Sequence, residues 1–495
     1  MHHRALVFTF VASCVASVSL QAQIEAPEYA ARRAALGQLA GDAAILVLGA
    51  GEPLHDVETF APSAQLRYLT GWKQPYGALL IVREGDKQRE VLFVAERSPA
   101  QEVWTGMRPS LAAASTLTGL ATRNIGEMTA AIDSVLATKL PIRIVGEFGG
   151  QTGPAGEAVP SERALMASLR ARRPDVPVTD GNDLVLQLRR RKSPAEIALI
   201  RTAIHLTVLA HEEAMRMAAP GWNEFEVQAL VEYIFRRGGA ERPSFTSIVG
   251  SGDNATTLHY WQNDRAMNDG ELVVMDIGAS YAGYAADVTR TLPIGGRFST
   301  EQRAIYDLVR RAQLGAELAT RVGAKTMTAS VTARDSLAAG LARLGLIDSA
   351  TARYDCDAKA TTQCRQVGLF YMHALGHGIG LDVHDPDISD TTDWQSGSVV
   401  TIEPGIYVRR NLAEVLPDTP QNRALLARIG PAVARYAGIG VRIEDDYLLT
   451  DAGLEWLSKL PRESAEVEAA MRKPRANAPR PRDAALVERY PRGMP

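Results

Sequence analysis

The sequence lacks any dominant charge. Lysine and arginine total 54 against 57 acidic residues in a chain of 495, a formal net charge of −3. The two signs are mixed rather than gathered in runs, which leaves no electrostatic case for nucleic-acid binding. Long apolar runs are missing beyond the first twenty residues, and none approaches the roughly 20 residues a membrane-spanning helix needs. Cysteine is scarce: three in the chain. The hydrophobic set, 46% of residues, is large enough for sizeable cores in two or three domains.

The N-terminus, MHHRALVFTFVASCVASVSLQAQ, sets Arg4 before a mostly apolar segment, Ala5 to Leu20, and small residues then lead to a cut near Ala22. This layout predicts a signal peptide over residues 1–22 and export to the periplasm or beyond. Val11 to Cys14 weakly resembles a lipoprotein cleavage box, so anchoring at Cys14 is the lesser alternative. Once the leader is removed, Cys356 and Cys364 remain, flanking the polar DAKATTQ. In an oxidising compartment the pair reads as a local disulfide, with two free thiols as the alternative.

Residues 42–183 alternate strand-like runs (Ala43 to Leu48, Gly77 to Val82, Val91 to Val94, Ile142 to Val145) with helix-like ones at 112–117 and 129–140. That alternation predicts an α/β domain. The basic run Arg189 to Lys192, read as a solvated interdomain face, precedes Ser193-Pro194-Ala195-Glu196, a helix start with proline in its first turn. Beyond it, helices are predicted at 194–218, 223–237, 301–321 and 328–343, between antiparallel strands. Residues 409–438 form an excursion that either covers a site or builds an interface. From Pro461 the chain is rich in Arg, Pro, Ala and Glu and is expected to be a loosely ordered tail, 461–495.

Against this background stand five metal-ligand-type side chains near the ends of apolar or glycine-bounded runs: Asp276, Asp287, His377, Glu403 and Glu444. Four carboxylates and one imidazole cannot share a buried site uncompensated; two divalent cations would neutralise them. Residues 272–291, LVVMDIGASYAGYAADVTRT, read as a hairpin centred near 281–282. That register places Asp276 directly opposite Asp287, with Cβ atoms about 5 Å apart. His373, His377 and His384 crowd into HALGHGIGLDVHD, where three glycines permit close backbone approach; His373 and His377 share a face if the stretch is helical. Glu403 ends Val399 to Ile402 before Pro404-Gly405, and Glu444 follows GVRI. Oxygen-rich ligation with one imidazole favours a harder dication such as Mn²⁺, with Co²⁺ and Zn²⁺ as alternatives.

These stretches resemble the pita-bread metallopeptidases, specifically the Xaa-Pro aminopeptidase (aminopeptidase P) and prolidase family. The resemblance is carried by KSPAEIALIR (192–201), SIVGSGDNATTLHY (247–260), VVMDIGASYAGYAADVTRT (273–291), HALGHGIGLDVHD (373–385), TIEPGIY (401–407) and VRIEDDYLLT (441–450), six motifs in the family's order. LRYLTGW (66–72) and VLFVAERSPAQEVWTG (91–106) extend it upstream. The implied fold is α/β (α+β): a creatinase-like N-terminal domain, 23–183, then a pita-bread catalytic domain, 184–460.

The resemblance implies that Asp287 and Glu444 bridge two metals, that Asp276 completes one shell, and that His377 and Glu403 complete the other. A bridging hydroxide would be the nucleophile, with Glu403 as general base and acid. His384 would stabilise the oxyanion, His259 would assist binding and proton transfer, and His373 would line the proline pocket. Tyr407 and Arg442 would contact substrate, Arg442 alternatively pairing with Asp445 or Asp446. Trp104 resembles a tryptophan that reaches a neighbouring subunit's site, which implies a homo-oligomer, dimer or tetramer. The expected activity is hydrolysis of the N-terminal Xaa–Pro bond of proline-containing peptides. The rivals are an Xaa-Pro dipeptidase and, from another class, a metal-free pita-bread scaffold used for binding.

Overall fold

The computed structural model describes residues 24–53, 59–146, 161–386 and 392–472. The predicted leader with Cys14, and the chain beyond 472, lie outside these residues.

The first domain is built on a six-stranded mixed sheet. In spatial order the strands are Thr122–Asn124, Lys87–Val94, Ala78–Glu84, Ala43–Leu48, Ile142–Val145 and Val178–Asp180. The run AAILVL of Ala43–Leu48 is buried on both faces, as an unbroken apolar strand inside a helix-covered sheet must be. Its residues alternate between two cores. Ile45 and Val47 pack with Leu79 and Ile81 on one side, Ala44 and Leu46 with Leu80 and Val82 on the other.

The basic run at the domain boundary is solvated only in part: Arg191 is exposed, but Arg189 and Lys192 are buried. Arg189 is sealed from solvent and donates to Asp382 (2.6 Å) and Asp385 (2.7 Å), while Lys192 Nζ donates to the Asp385 carbonyl at 3.0 Å. Burial disfavours charge on Lys192 and holds its pKa below the usual lysine range. The two cations therefore clamp the segment that carries His384 from behind. A second junction pairs Arg67 with Glu241 through two 3.0 Å hydrogen bonds.

The four predicted long helices are Pro194–Met217, Glu224–Arg237, Thr300–Ala319 and Thr326–Arg343. The first opens on a capping box in which Ser193 and Glu196 satisfy each other's backbone N–H groups. These helices pack against two three-stranded sheets, one of Ile248–Ser251, Leu272–Ile277 and Val288–Pro293, the other of Val399–Ile402, Asp445–Thr450 and Gly453–Trp456. The sheets meet at one antiparallel bridge, with Glu444 N donating to Thr289 O at 3.1 Å and Thr289 N to Glu444 O at 3.3 Å. This bridge carries Glu444 to the hairpin that holds both aspartates.

That hairpin is shifted by two residues from the expected register. Its turn is Ala282-Gly283, both at positive φ (50° and 89°), as a two-residue type I′ turn requires. Asp276 consequently faces Thr289, and Asp287 sits diagonally from Asp276. A slip of two keeps both aspartates on one face, where a slip of one would have separated them.

One further expectation changes. Residues 461–472 are not a loose tail: Ser464–Met471 is a helix whose Val467 is buried in the main core. The 409–438 excursion contains the helices Leu412–Val415 and Pro420–Tyr436. It packs on the hairpin 353–365, where Thr419 Oγ1 and Asn422 Nδ2 donate to Asp355 at 2.6 and 2.8 Å. Cys356 and Cys364 form a disulfide in that hairpin.

Candidate metal centre

The five predicted ligands converge on one cleft of about 680 Å³. Asp276 comes from Leu272–Ile277, Asp287 from the step before Val288–Pro293, Glu403 from the end of Val399–Ile402, and Glu444 from the step before Asp445–Thr450. His377 is not on a helix. Its segment lies along the strand that ends in Glu403: Thr401 N donates to His377 O at 2.9 Å and Glu403 N to Leu375 O at 2.8 Å. The glycines permit this approach, since a Cβ at Gly376 would lie 2.2 Å from the Thr401 carbonyl oxygen.

Ligand atoms of Asp287, His377 and Glu444 all lie within 4.8 Å of one another. His377 Nε2 is 3.5 Å from Asp287 Oδ2 and 3.4 Å from Glu403 Oε1. Its Nδ1 is 3.0 Å from the Gly378 carbonyl; with the proton assigned there, the Nε2 lone pair faces the carboxylates, as a metal ligand needs. Asp276 Oδ2 accepts a 2.6 Å hydrogen bond from Arg442. Asp276 Oδ1 and Asp287 Oδ1 are buried and have no hydrogen-bond partner.

The charge balance argues for cations. Burial, then the neighbouring Glu444, Asp276 and Glu403, push the Asp287 pKa well above the carboxylate range. Glu444 is raised well above it by burial, then Glu403 and Asp276. Glu403 is raised by burial, partly offset by His377 and Arg442. Orphaned oxygens, clustered carboxylates and a single imidazole fit a pair of hard divalent cations.

The remaining predicted residues are distributed unevenly. His259, His373, His384 and Arg442 line the cleft, and the His377 and His384 rings lie 4.1 Å apart. Arg442 pairs with Asp276 rather than with Asp445 or Asp446; Asp445 belongs to Arg290 at 2.6 Å. Tyr407 is fully buried behind the cleft, where its hydroxyl accepts from Arg442 Nη1 and donates to His373 Nε2, both at 2.8 Å. Burial and then Arg442 hold His373 neutral, with its pKa lowered to about 3. Trp104 stands apart on the helix Pro99–Thr105, 86% exposed and outside the cleft.

Sequence reasoning missed Thr289, Thr401 and Asp446. Thr289 Oγ1 donates to Glu444 Oε2 at 2.6 Å, Thr401 Oγ1 to Glu403 at 3.4 Å, and Asp446 Oδ2 accepts from Asp287 N at 3.2 Å. The two threonines lie two residues from ligands on the same strand face, a period-two signal that was legible.

Comparison with known proteins fits this geometry. Residues 198–451 match metallopeptidase family M24, and residues 29–142 match the aminopeptidase P N-terminal domain. The chain is 34% identical to Xaa-Pro aminopeptidase of Haemophilus influenzae over 83% of its own length and 88% of that protein. It is 31% identical to human Xaa-Pro dipeptidase, but over only 58% of this chain and 61% of that one. Its fold superposes on a substrate complex of a variant of Escherichia coli aminopeptidase P with a TM-score of 0.73, at 28% identity, covering 91% of this chain and 98% of that one. With the ligand set, both domains and near full-length coverage in agreement, the chain belongs to metallopeptidase family M24, as a metal-dependent aminopeptidase of the aminopeptidase P type.

Proposed function

We propose that this enzyme removes the N-terminal residue that precedes proline from peptides, with Mn²⁺ as its native metal. The observation that carries the reading is the convergence of Asp276, Asp287, His377, Glu403 and Glu444 on one cleft. Asp287 and Glu444 would hold both ions, Asp276 one, and His377 with Glu403 the other. When bound, such a pair neutralises the acidic cluster and acidifies a coordinated water.

The chain's own residues supply the rest. Glu403, at the end of Val399–Ile402 on the cleft, would accept and return the proton of the reaction. His373 has both ring nitrogens engaged, by the Ala374 carbonyl and by Tyr407. It therefore offers its ring face to the pyrrolidine rather than a hydrogen bond. Arg442 and Tyr407 hold that ring in place. His384, packed on His377, donates toward the carbonyl oxygen as it gains charge, and His259 faces the same space. The Xaa–Pro bond lacks an N–H, so recognition must come from ring shape rather than from a grip on that hydrogen.

Human Xaa-Pro dipeptidase among the relatives keeps a dipeptidase as the second reading. Digestion of Xaa-Pro-Xaa and Xaa-Pro peptides with Mn²⁺, with and without chelator, separates the two. Chelator-sensitive release of the first residue from tripeptides is expected; cleavage of dipeptides alone would overturn it.

The Cys356–Cys364 disulfide supports export after cleavage near Ala22, to be checked by the N-terminal sequence of the secreted protein. Exposed Val103, Trp104 and Met107 support a homo-oligomer that covers them. Its mass by light scattering should fall in Trp104→Ala.

A further inference from the structure

The helix Glu224–Arg237 carries a polar stripe that faces inward. Glu224, Gln228 and Glu232 recur every four residues, on one face of the helix. All three bind the segment 247–265, which brings Leu258, His259 and Trp261 to the cleft. Glu232 accepts from Ser247 Oγ at 2.9 Å, and Gln228 accepts from Asn263 Nδ2 at 2.9 Å.

Glu224 does most. It is fully buried, and its carboxylate accepts from five donors. Oε1 takes Ser251 N and Ser251 Oγ, both at 2.6 Å, and Asn254 Nδ2 at 3.3 Å. Oε2 takes Tyr260 OH and Arg265 N, both at 3.0 Å. Arg265 Nη1 closes the ring by donating to Ser251 Oγ at 2.8 Å. One side chain thus ties the two ends of the loop to each other and to the helix. One of its donors is the immediate neighbour of His259. Trp261 sits beyond it on the cleft wall, 67% exposed, and Arg442 Nη2 holds the same wall from the cleft side by donating to the Leu258 carbonyl at 3.3 Å.

We propose that Glu224 is a positioning residue of the reaction: it fixes the loop that presents His259 to the substrate, without touching substrate or metal. This rests on the hydrolytic reading above. Only a carboxylate meets all five donors. A glutamine can turn its oxygen to Ser251 and Asn254, but its amide then points at the Arg265 N–H, donor against donor. Glu224→Gln therefore loses the Arg265 bond, while the Tyr260 hydroxyl can turn its proton to Asp264 Oδ1 (3.2 Å) and accept from the amide, and the Ser251–Asn254 arm stays intact.

The test combines metal content, amide hydrogen exchange and steady-state kinetics of the holoenzyme on an Xaa-Pro-Xaa peptide. Glu224→Gln should keep the wild-type metal content. Exchange across 251–265 should be about tenfold faster or more. kcat should fall about 10- to 100-fold, with KM nearly unchanged. Tyr260→Phe, which removes one donor and is the milder change, should lower kcat about threefold to tenfold. On a His259→Ala background the Glu224→Gln change should cost little more, because its effect passes through that histidine. Unchanged exchange in Glu224→Gln, or a loss that simply adds to that of His259→Ala, overturns the proposal. Wild-type protein that leaves every Xaa-Pro peptide intact would instead overturn the hydrolytic reading, and the exchange arm is read without substrate.

Discussion

Glu444 and Asp445 are adjacent, and both are sealed from solvent. Asp445 is met by the chain itself: Arg290 at 2.6 Å, Ser458 at 2.7 Å, Trp456 Nε1 at 2.9 Å and Gln313 at 3.0 Å. Glu444 shares its space with Asp287, Asp276 and Glu403, and accepts a hydrogen bond from the Thr289 hydroxyl at 2.6 Å. On one face the acid's counter-charge is encoded in sequence. On the other it is Arg442, which pairs with Asp276, set against four carboxylates. Buried acids with too few protein cations call for a counter-charge from outside the chain, and the neighbouring, self-sufficient ion pair supplies the control.

The comparison can be broken at either face. On the metal face, Asp287→Ala should lose both ions and reduce turnover by more than about 100-fold, beyond the usual cost of losing an outer-shell partner. Metal analysis and peptide hydrolysis check it, and near-normal activity would end the bridging assignment. On the other face, Arg290→Met leaves Asp445 buried without its closest cation and should destabilise the fold by about 3–5 kcal/mol. Folded Arg290→Met should still bind metal, so chemical denaturation and metal analysis separate the two faces.

A smaller effect tests the chemistry alone. His384→Ala should retain both ions while turnover falls about 10- to 100-fold, within the range for one lost oxyanion donor or proton-transfer group. Loss of metal in that variant would place His384 among the ligands instead.

The smallest effect is in pH. Asp287, Glu444 and Glu403 have folded pKa values raised by burial. Groups raised in the fold contribute stability below their unfolded pKa, near 4, and lose it as pH climbs through the folded value. Metal-free protein should therefore lose stability from about pH 4 upward, by up to about 1.4 kcal/mol per pH unit for each titrating group. Bound cations should remove that slope. Thermal melts with and without chelator across pH 4–8 measure it, and identical slopes would contradict the cluster's electrostatics.

Much of this was legible in sequence, for identifiable reasons. Strand ends and glycine breaks picked out the five side chains that converge on the cleft, because strand pleat and turn chemistry are local. The hairpin register was misjudged because the turn residues Ala282-Gly283, not the sequence midpoint, set the pairing. Arg189 and Lys192 looked like solvated charges. Their partner Asp385 is 196 residues from Arg189, and no local pattern reveals a salt bridge of that range. The helix Ser464–Met471 was hidden by tail-like composition, while its stabilising contact, Val467 in the core, is tertiary. The Glu224 stripe was overlooked because polar residues at helical spacing ordinarily mark a solvent face.

The most direct measurement is the metal content of purified protein, read together with chelator-sensitive hydrolysis of an Xaa-Pro-Xaa peptide. Two divalent ions per chain, with activity lost to chelator and restored by Mn²⁺, is the predicted result. Fewer than one ion per chain, with no turnover after Mn²⁺ is supplied, would contradict it and leave the buried carboxylates without a role.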